Sequence, residues 1–86
     1  MEFTFSERFK KDYKKLSPEE KAVLKNKLRL MANNPMHPSL RTKKIRGKEE
    51  IFECNINMNI RMTWEYRENI IFLRAIGQPD FTLKNP

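Results

Sequence analysis

The sequence has a single cysteine, Cys54, and a single histidine, His37. No disulfide can close within the chain, and a four-ligand metal centre lacks its usual donors. No stretch approaches the roughly 18 apolar residues of a membrane span. The opening "MEFTFSERFKK" lacks the apolar centre of a signal peptide. The expected compartment is therefore the cytoplasm, with no membrane partner. Acidic residues are scarce in one half. Glu7 to Lys48 carries 14 Lys/Arg against 4 Asp/Glu, whereas Glu49 to Pro86 carries 4 against 6. Such asymmetry, in a chain of net charge +7, is either a solvated surface or the footprint of a polyanion, nucleic acid or an acidic protein segment.

At 86 residues the chain is one domain, 1–86. Its hydrophobic content of 38% is low but set out in patterned segments, which argues against global disorder. Met1 to Phe5 alternates as a short strand, with Phe3 and Phe5 on one face. Ser6 can cap a helix whose apolar face is Phe9, Tyr13 and Leu16, with lysines around the rest. In "LSPEEKAVLKNKLRLMANNP", Ser17 is an N-cap, Pro18 suits the first helical position and Glu20 completes a capping box. Val23, Leu24, Leu28 and Met31 form that helix's stripe, and Asn33 to Pro35 stops it. So short a turn between the two helices predicts an antiparallel hairpin.

A proline-rich, basic connection then leads to a short strand over Lys43–Arg46. Phe52, Cys54, Ile56 and Met58 alternate with Glu53, Asn55, Asn57 and Asn59. After a turn near Asn57–Asn59, Ile60, Met62, Trp64 and Tyr66 face the core, while Arg61, Thr63 and Glu65 face away. A second turn at Arg67–Asn69 precedes Ile70–Ile76, apolar on both faces as a central strand would be. The expected fold is α+β, in the order β-α-α-β-β-β-β: an N-terminal strand, a helical hairpin and a four-stranded antiparallel meander. The helices cover one sheet face. The other, with Glu53, Asn55, Arg61 and Thr63, is polar and suits a binding floor.

This order, with "LRTKKIRG", "NIRMTWEY" and "LRAIGQPDFTLKNP", resembles the RelE/ParE superfamily of type II toxin–antitoxin toxins, in its YafQ-like and RelE-like ribonuclease branches. The resemblance spans nearly the whole chain. It implies a toxin that cuts messenger RNA on the ribosome without metal or other cofactor, and a cognate antitoxin with an acidic segment. The 2′-hydroxyl attacks the adjacent phosphate, which calls for a base, an acid and cations over the transition state.

Arg61 matches the strand arginine that contacts the scissile phosphate in RelE-like toxins, and a guanidinium suits a phosphate through paired donors. Its structural alternative is pairing with Glu53 or Glu65. Arg41, Lys43, Lys44, Arg46 and Lys48 are expected to form a basic edge that holds RNA backbone, or one that merely discourages strand pairing. Lys43 lies near a histidine of the YafQ-like pattern. His37, flanked by prolines, reads as an exposed loop residue. In "GQPD", Gly77 and Asp80 keep the YafQ-like frame, and Pro79 stands where the resemblance places the acid–base histidine. Either a loss-of-activity change has occurred, one base from a histidine codon, or the lineage has lost cleavage or uses Asp80 with Arg61. Asp80 is otherwise a turn residue. Phe81 is a candidate for stacking on a base or for packing. Cys54 reads as an inert buried thiol. Two alternatives remain open at this point: a ParE-like inhibitor of DNA gyrase without ribonuclease activity, and a non-catalytic RNA-binding module.

Overall fold

The computed structural model describes residues 1–86, with every side chain except that of Glu49. Strand β1 is Glu2–Phe5, helix α1 Glu7–Lys14 and helix α2 Pro18–Asn33. A 3-10 turn at Pro38–Leu40 leads to β2 (Lys43–Ile45), β3 (Lys48–Asn57), β4 (Ile60–Arg67), β5 (Ile70–Gly77) and a last short helix, α3 (Pro79–Thr82).

The helix starts follow from their caps. Ser6 Oγ accepts from Phe9 N at 2.9 Å and donates to the Arg74 carbonyl at 2.6 Å, so one hydroxyl both opens α1 and ties it to β5. Ser17 and Glu20 form the reciprocal capping box of α2, at 3.1 and 2.8 Å. Past the end of β1, Asp12 of α1 takes over as partner of β5, accepting from Ile76 N at 3.2 Å.

The five strands form one sheet in the order β1-β5-β4-β3-β2. The meander is antiparallel, as expected. In addition β1 pairs with β5 in parallel, Glu2 opposite Ile70 and Phe5 opposite Leu73. The helical hairpin supplies the long crossover that a parallel pair requires. The pairing puts β5 second in the sheet, which is why its residues are apolar on both faces.

One layer of helix lies on one face. Phe9, Leu24 and Met31, with Leu40 of the 3-10 turn, are buried together with Cys54, Met62, Trp64, Leu73 and Ile76 of the sheet. Phe52 stacks on Trp64 with ring centroids 4.6 Å apart, and Tyr66 meets Trp64 edge-on at 4.9 Å. Burial pushes the Cys54 thiol up to about 12, so it stays protonated and inert.

Four expectations need correction. Met58 does not continue the buried face of β3: the chain turns after Asn57, and Met58 is 90% exposed. Tyr66, near the far hairpin, is only partly covered. Lys43–Arg46 shortens to Lys43–Ile45, because Arg46 belongs to the turn with Gly47, whose φ of 81° is readily adopted by glycine. His37 is half-buried, and its Nδ1 accepts from Ser39 N at 3.1 Å, capping the 3-10 turn.

Candidate nucleic-acid interface

Side chains alternate across a strand, so the register defines the sheet face turned away from the helices. Lys43, Glu53, Thr63 and Ala75 form one row across β2, β3, β4 and β5. Asn55, Arg61 and Gly77 form the next. Glu65, opposite Phe72, and Arg67, opposite Ile70, continue the face toward the other end. Lys43 Nζ lies 3.9 Å from Glu53.

Arg61 is on this face and clear of the helices. It pairs with neither Glu53 nor Glu65. Its Nη1 donates to the carbonyls of Asn57, Met58 and Ile60 at 2.8, 3.3 and 3.2 Å, while Asn59 N donates to Asn57 Oδ1 at 2.8 Å. The guanidinium is thus held against the β3–β4 turn by one nitrogen. A side chain anchored in this way loses less freedom on meeting an anion.

Arg74 was not singled out as a site residue in the sequence, and the structure brings it to the same face. Between Thr63/Ala75 and Trp64/Leu73 the register shifts, leaving Arg74 as an extra residue in β5. Such a bulge re-aims a side chain. Arg74 Nη1 donates to Glu65 Oε2 at 2.9 Å, and Arg67 Nε donates to Glu65 Oε1 at 2.5 Å, so two arginines share one carboxylate. Arg67 also lies over the Phe72 ring at 3.7 Å. A charged residue inside the apolar run Ile70–Ile76 was the available signal.

The stretch Gly77–Pro86 is more than a turn. Pro79 occupies the first turn of α3, where the missing N–H is harmless and the fixed φ suits the helix. Helix α3 folds back on the sheet, and a Cβ on Gly77 would meet Thr82 Oγ1 at 3.0 Å, so glycine is what permits this approach. The chain then runs over the polar face. The Pro86 backbone oxygen accepts from Thr63 Oγ1 at 3.1 Å and from Arg74 Nε at 3.0 Å, and Arg8 of α1 donates to the Asn85 carbonyl. The expected open floor is therefore half covered: Thr63 and Ala75 are buried beneath the chain, while Arg61 and Asn55 keep partial exposure. Asp80 is exposed. Phe81, 74% exposed, borders a groove of about 410 Å³ with Leu16, Ile60 and Ile76, beside the turn between the helices.

The five basic residues proposed as one edge are divided by the fold. Lys43 lies in the row next to that of Arg61, whereas Arg41 precedes β2, at the end of the 3-10 turn with a left-handed backbone. Lys44 points to the opposite face, its Nζ 6.0 Å from the centre of the Phe52 ring. Arg46 and Lys48 sit at the β2–β3 hairpin. Lys48 is seven residues along β3 from Asn55, on the order of 23 Å at the usual strand rise. A second basic feature lies elsewhere. Between α1 and α2 an open groove of about 900 Å³ has Phe5, Phe9, Leu24 and Leu28 along it and Lys10, Lys11, Lys14, Lys21 and Lys25 around it. Among the described residues no group of three or more His, Cys, Asp and Glu side chains could hold a metal ion. No helix there is long and apolar enough to cross a membrane.

By sequence the chain matches no protein-family model and no curated protein. By structure it has the fold of the RelE/ParE-type toxins. YafQ from E. coli superposes with a TM-score of 0.77 at 15% identity, over 93% of this chain and 94% of that one. The RelB–RelE antitoxin–toxin complex from Methanococcus jannaschii gives 0.75 at 20% identity, over 90% and 91%. The YoeB dimer from Staphylococcus aureus gives 0.77 at 17% identity, over 90% and 94%. At these identities the likeness is one of fold.

Proposed function

We propose that this protein is the toxin of a bacterial type II toxin–antitoxin pair, built on the scaffold of a metal-independent, ribosome-dependent mRNA endoribonuclease. The observation that carries the reading is Arg61: on the polar sheet face, away from the helices, half-exposed and fixed by turn carbonyls through a single nitrogen. Its remaining donors can meet a phosphate, with Lys43 on the same face. Positioning and charge are what the protein supplies to such a cleavage. The proton-handling group is what Pro79 withholds.

The partner expected from this reading is an antitoxin, by analogy with the RelB–RelE and DinJ–YafQ complexes. The groove between α1 and α2 supports it. An apolar floor with a rim of five lysines fits an amphipathic helix with acidic flanks.

The experiment is reversal of the turn. Pro79→His should yield cleavage of messages on programmed ribosomes and arrest growth, and Arg61→Ala in that background should lower cleavage about 10²-fold. Arg61→Lys separates the fork from the charge: it should fail to restore activity although the fold is kept. The lack of a histidine beside Arg61 also favours a second reading, a ParE-like inhibitor of DNA gyrase. If Pro79→His leaves ribosome-bound messages intact while the protein blocks supercoiling, the gyrase reading replaces the first.

A further inference from the structure

We propose that residues 83–86 are an intramolecular strap occupying a phosphate-oxygen subsite formed by Thr63 and Arg74, and that the strap competes with single-stranded RNA for this half of the polar face. The proposal rests on the RNA-binding reading above and adds to it a second anion position and a device that covers it.

Two donors converge on one oxygen. Thr63 Oγ1, on a fully buried residue, and Arg74 Nε both donate to the Pro86 backbone oxygen, at 3.1 and 3.0 Å. A hydroxyl and a guanidinium aimed at one point form a charge-assisted oxygen site. The side chains around it carry surplus positive charge, since Glu65 is shared between Arg67 and Arg74. A phosphate oxygen would meet the same two donors.

The location fits a strand already held at Arg61. Thr63 is two residues further along the same face of β4, roughly 7 Å away. RNA leaving Arg61 in that direction meets the strap. The strap itself is lightly held. Lys84 and Asn85 are exposed, Leu83 and Pro86 only half-buried, and the polar anchors are backbone oxygens of Asn85 and Pro86. A segment with few buried apolar contacts opens at low cost.

The test uses an eight-nucleotide, 2′-O-methylated RNA, which binds without being cut, and fluorescence anisotropy at fixed salt. Deleting Leu83–Pro86 should tighten binding about tenfold, the scale of two or three net hydrogen bonds. Arg74→Ala in the shortened chain should cancel that gain. Arg8→Ala, which loosens the strap without touching the subsite, should tighten binding about threefold despite losing a positive charge, and it keeps the test decisive if the shortened chain fails to fold. In the intact protein, RNA should shift the Lys84 and Asn85 amide resonances toward random-coil positions. Equal affinity with and without the strap, its resonances unmoved, overturns the proposal and leaves the RNA reading standing. A gain that survives Arg74→Ala overturns the subsite. If no variant binds RNA, both readings fall. If RNA releases the strap but Pro79→His never cleaves, the strap stands and the nuclease reading falls.

Discussion

Thr63 and Trp64 are neighbours on β4, both fully buried, and they belong to opposite faces of one sheet. Trp64 is covered by aromatic rings and the helical layer. Thr63 is covered by a lightly anchored stretch of chain that it grips through one hydroxyl. Equal burial therefore has unequal meaning. On one face it is the hydrophobic core that sets the register. On the other it reports a cover that rides on that register and can be exchanged. A slip of one residue would carry the arginines into the core, so the apolar face is what holds Arg61 where it is.

The sharpest way to break the comparison is to treat the neighbours alike. Trp64→Ala should cost about 3–5 kcal/mol, a large share of the whole stability of a domain this small. Thr63→Val should cost about 1 kcal/mol, a downward shift of the urea midpoint several-fold smaller than that of Trp64→Ala. Similar losses for both would mean that the strap is part of the core.

Next in size is a pH effect confined to the apolar face. The folded Cys54 thiol is raised from 9.0 to about 12 by burial. Its contribution is complete below pH 9 and is lost as pH rises toward the folded value, because the unfolded chain releases the proton first. At pH 10.5 the loss should be about 2 kcal/mol, read as the difference between wild type and Cys54→Ala in urea titrations at pH 8 and 10.5.

Gly77→Ala, on the polar face, should push Thr82, and α3 with it, away from the sheet at about 1–2 kcal/mol. Hydrogen exchange should quicken in residues 79–86 and stay slow in β4, sharpening the division between cover and core. Ser17→Ala should lower the thermal midpoint by the equivalent of about 1 kcal/mol and leave both sheet faces intact.

The apolar face was legible because its signals are local: Ser17 with Glu20, the α2 stripe, and the alternation Ile60, Met62, Trp64. The polar face was legible only in part. Arg61 could be placed by period two from its core neighbours. Arg74 could not, because a bulge breaks that period and nothing adjacent to it marks the break. The strap was hidden for another reason: its bonds join Arg8, Thr63 and Arg74 to residues far away in sequence. The basic edge failed as a single unit because alternation sends Lys43 and Lys44 to opposite faces, and the hairpin carries Arg46 and Lys48 away. Pro79 reads as a substituted histidine in sequence; in three dimensions it is also a sound first residue for α3.

Because Glu2 lies beside Ile70, one edge of the sheet is built from remote parts of the polypeptide. A growing chain that has not yet produced β5 leaves β1 without its neighbour and β4 with a bare edge. Loop-closure entropy makes this step slow relative to the hairpins. The anion-facing surface is thus completed late in the birth of the molecule, because Arg74 and the strap arrive only with β5 and the residues after it.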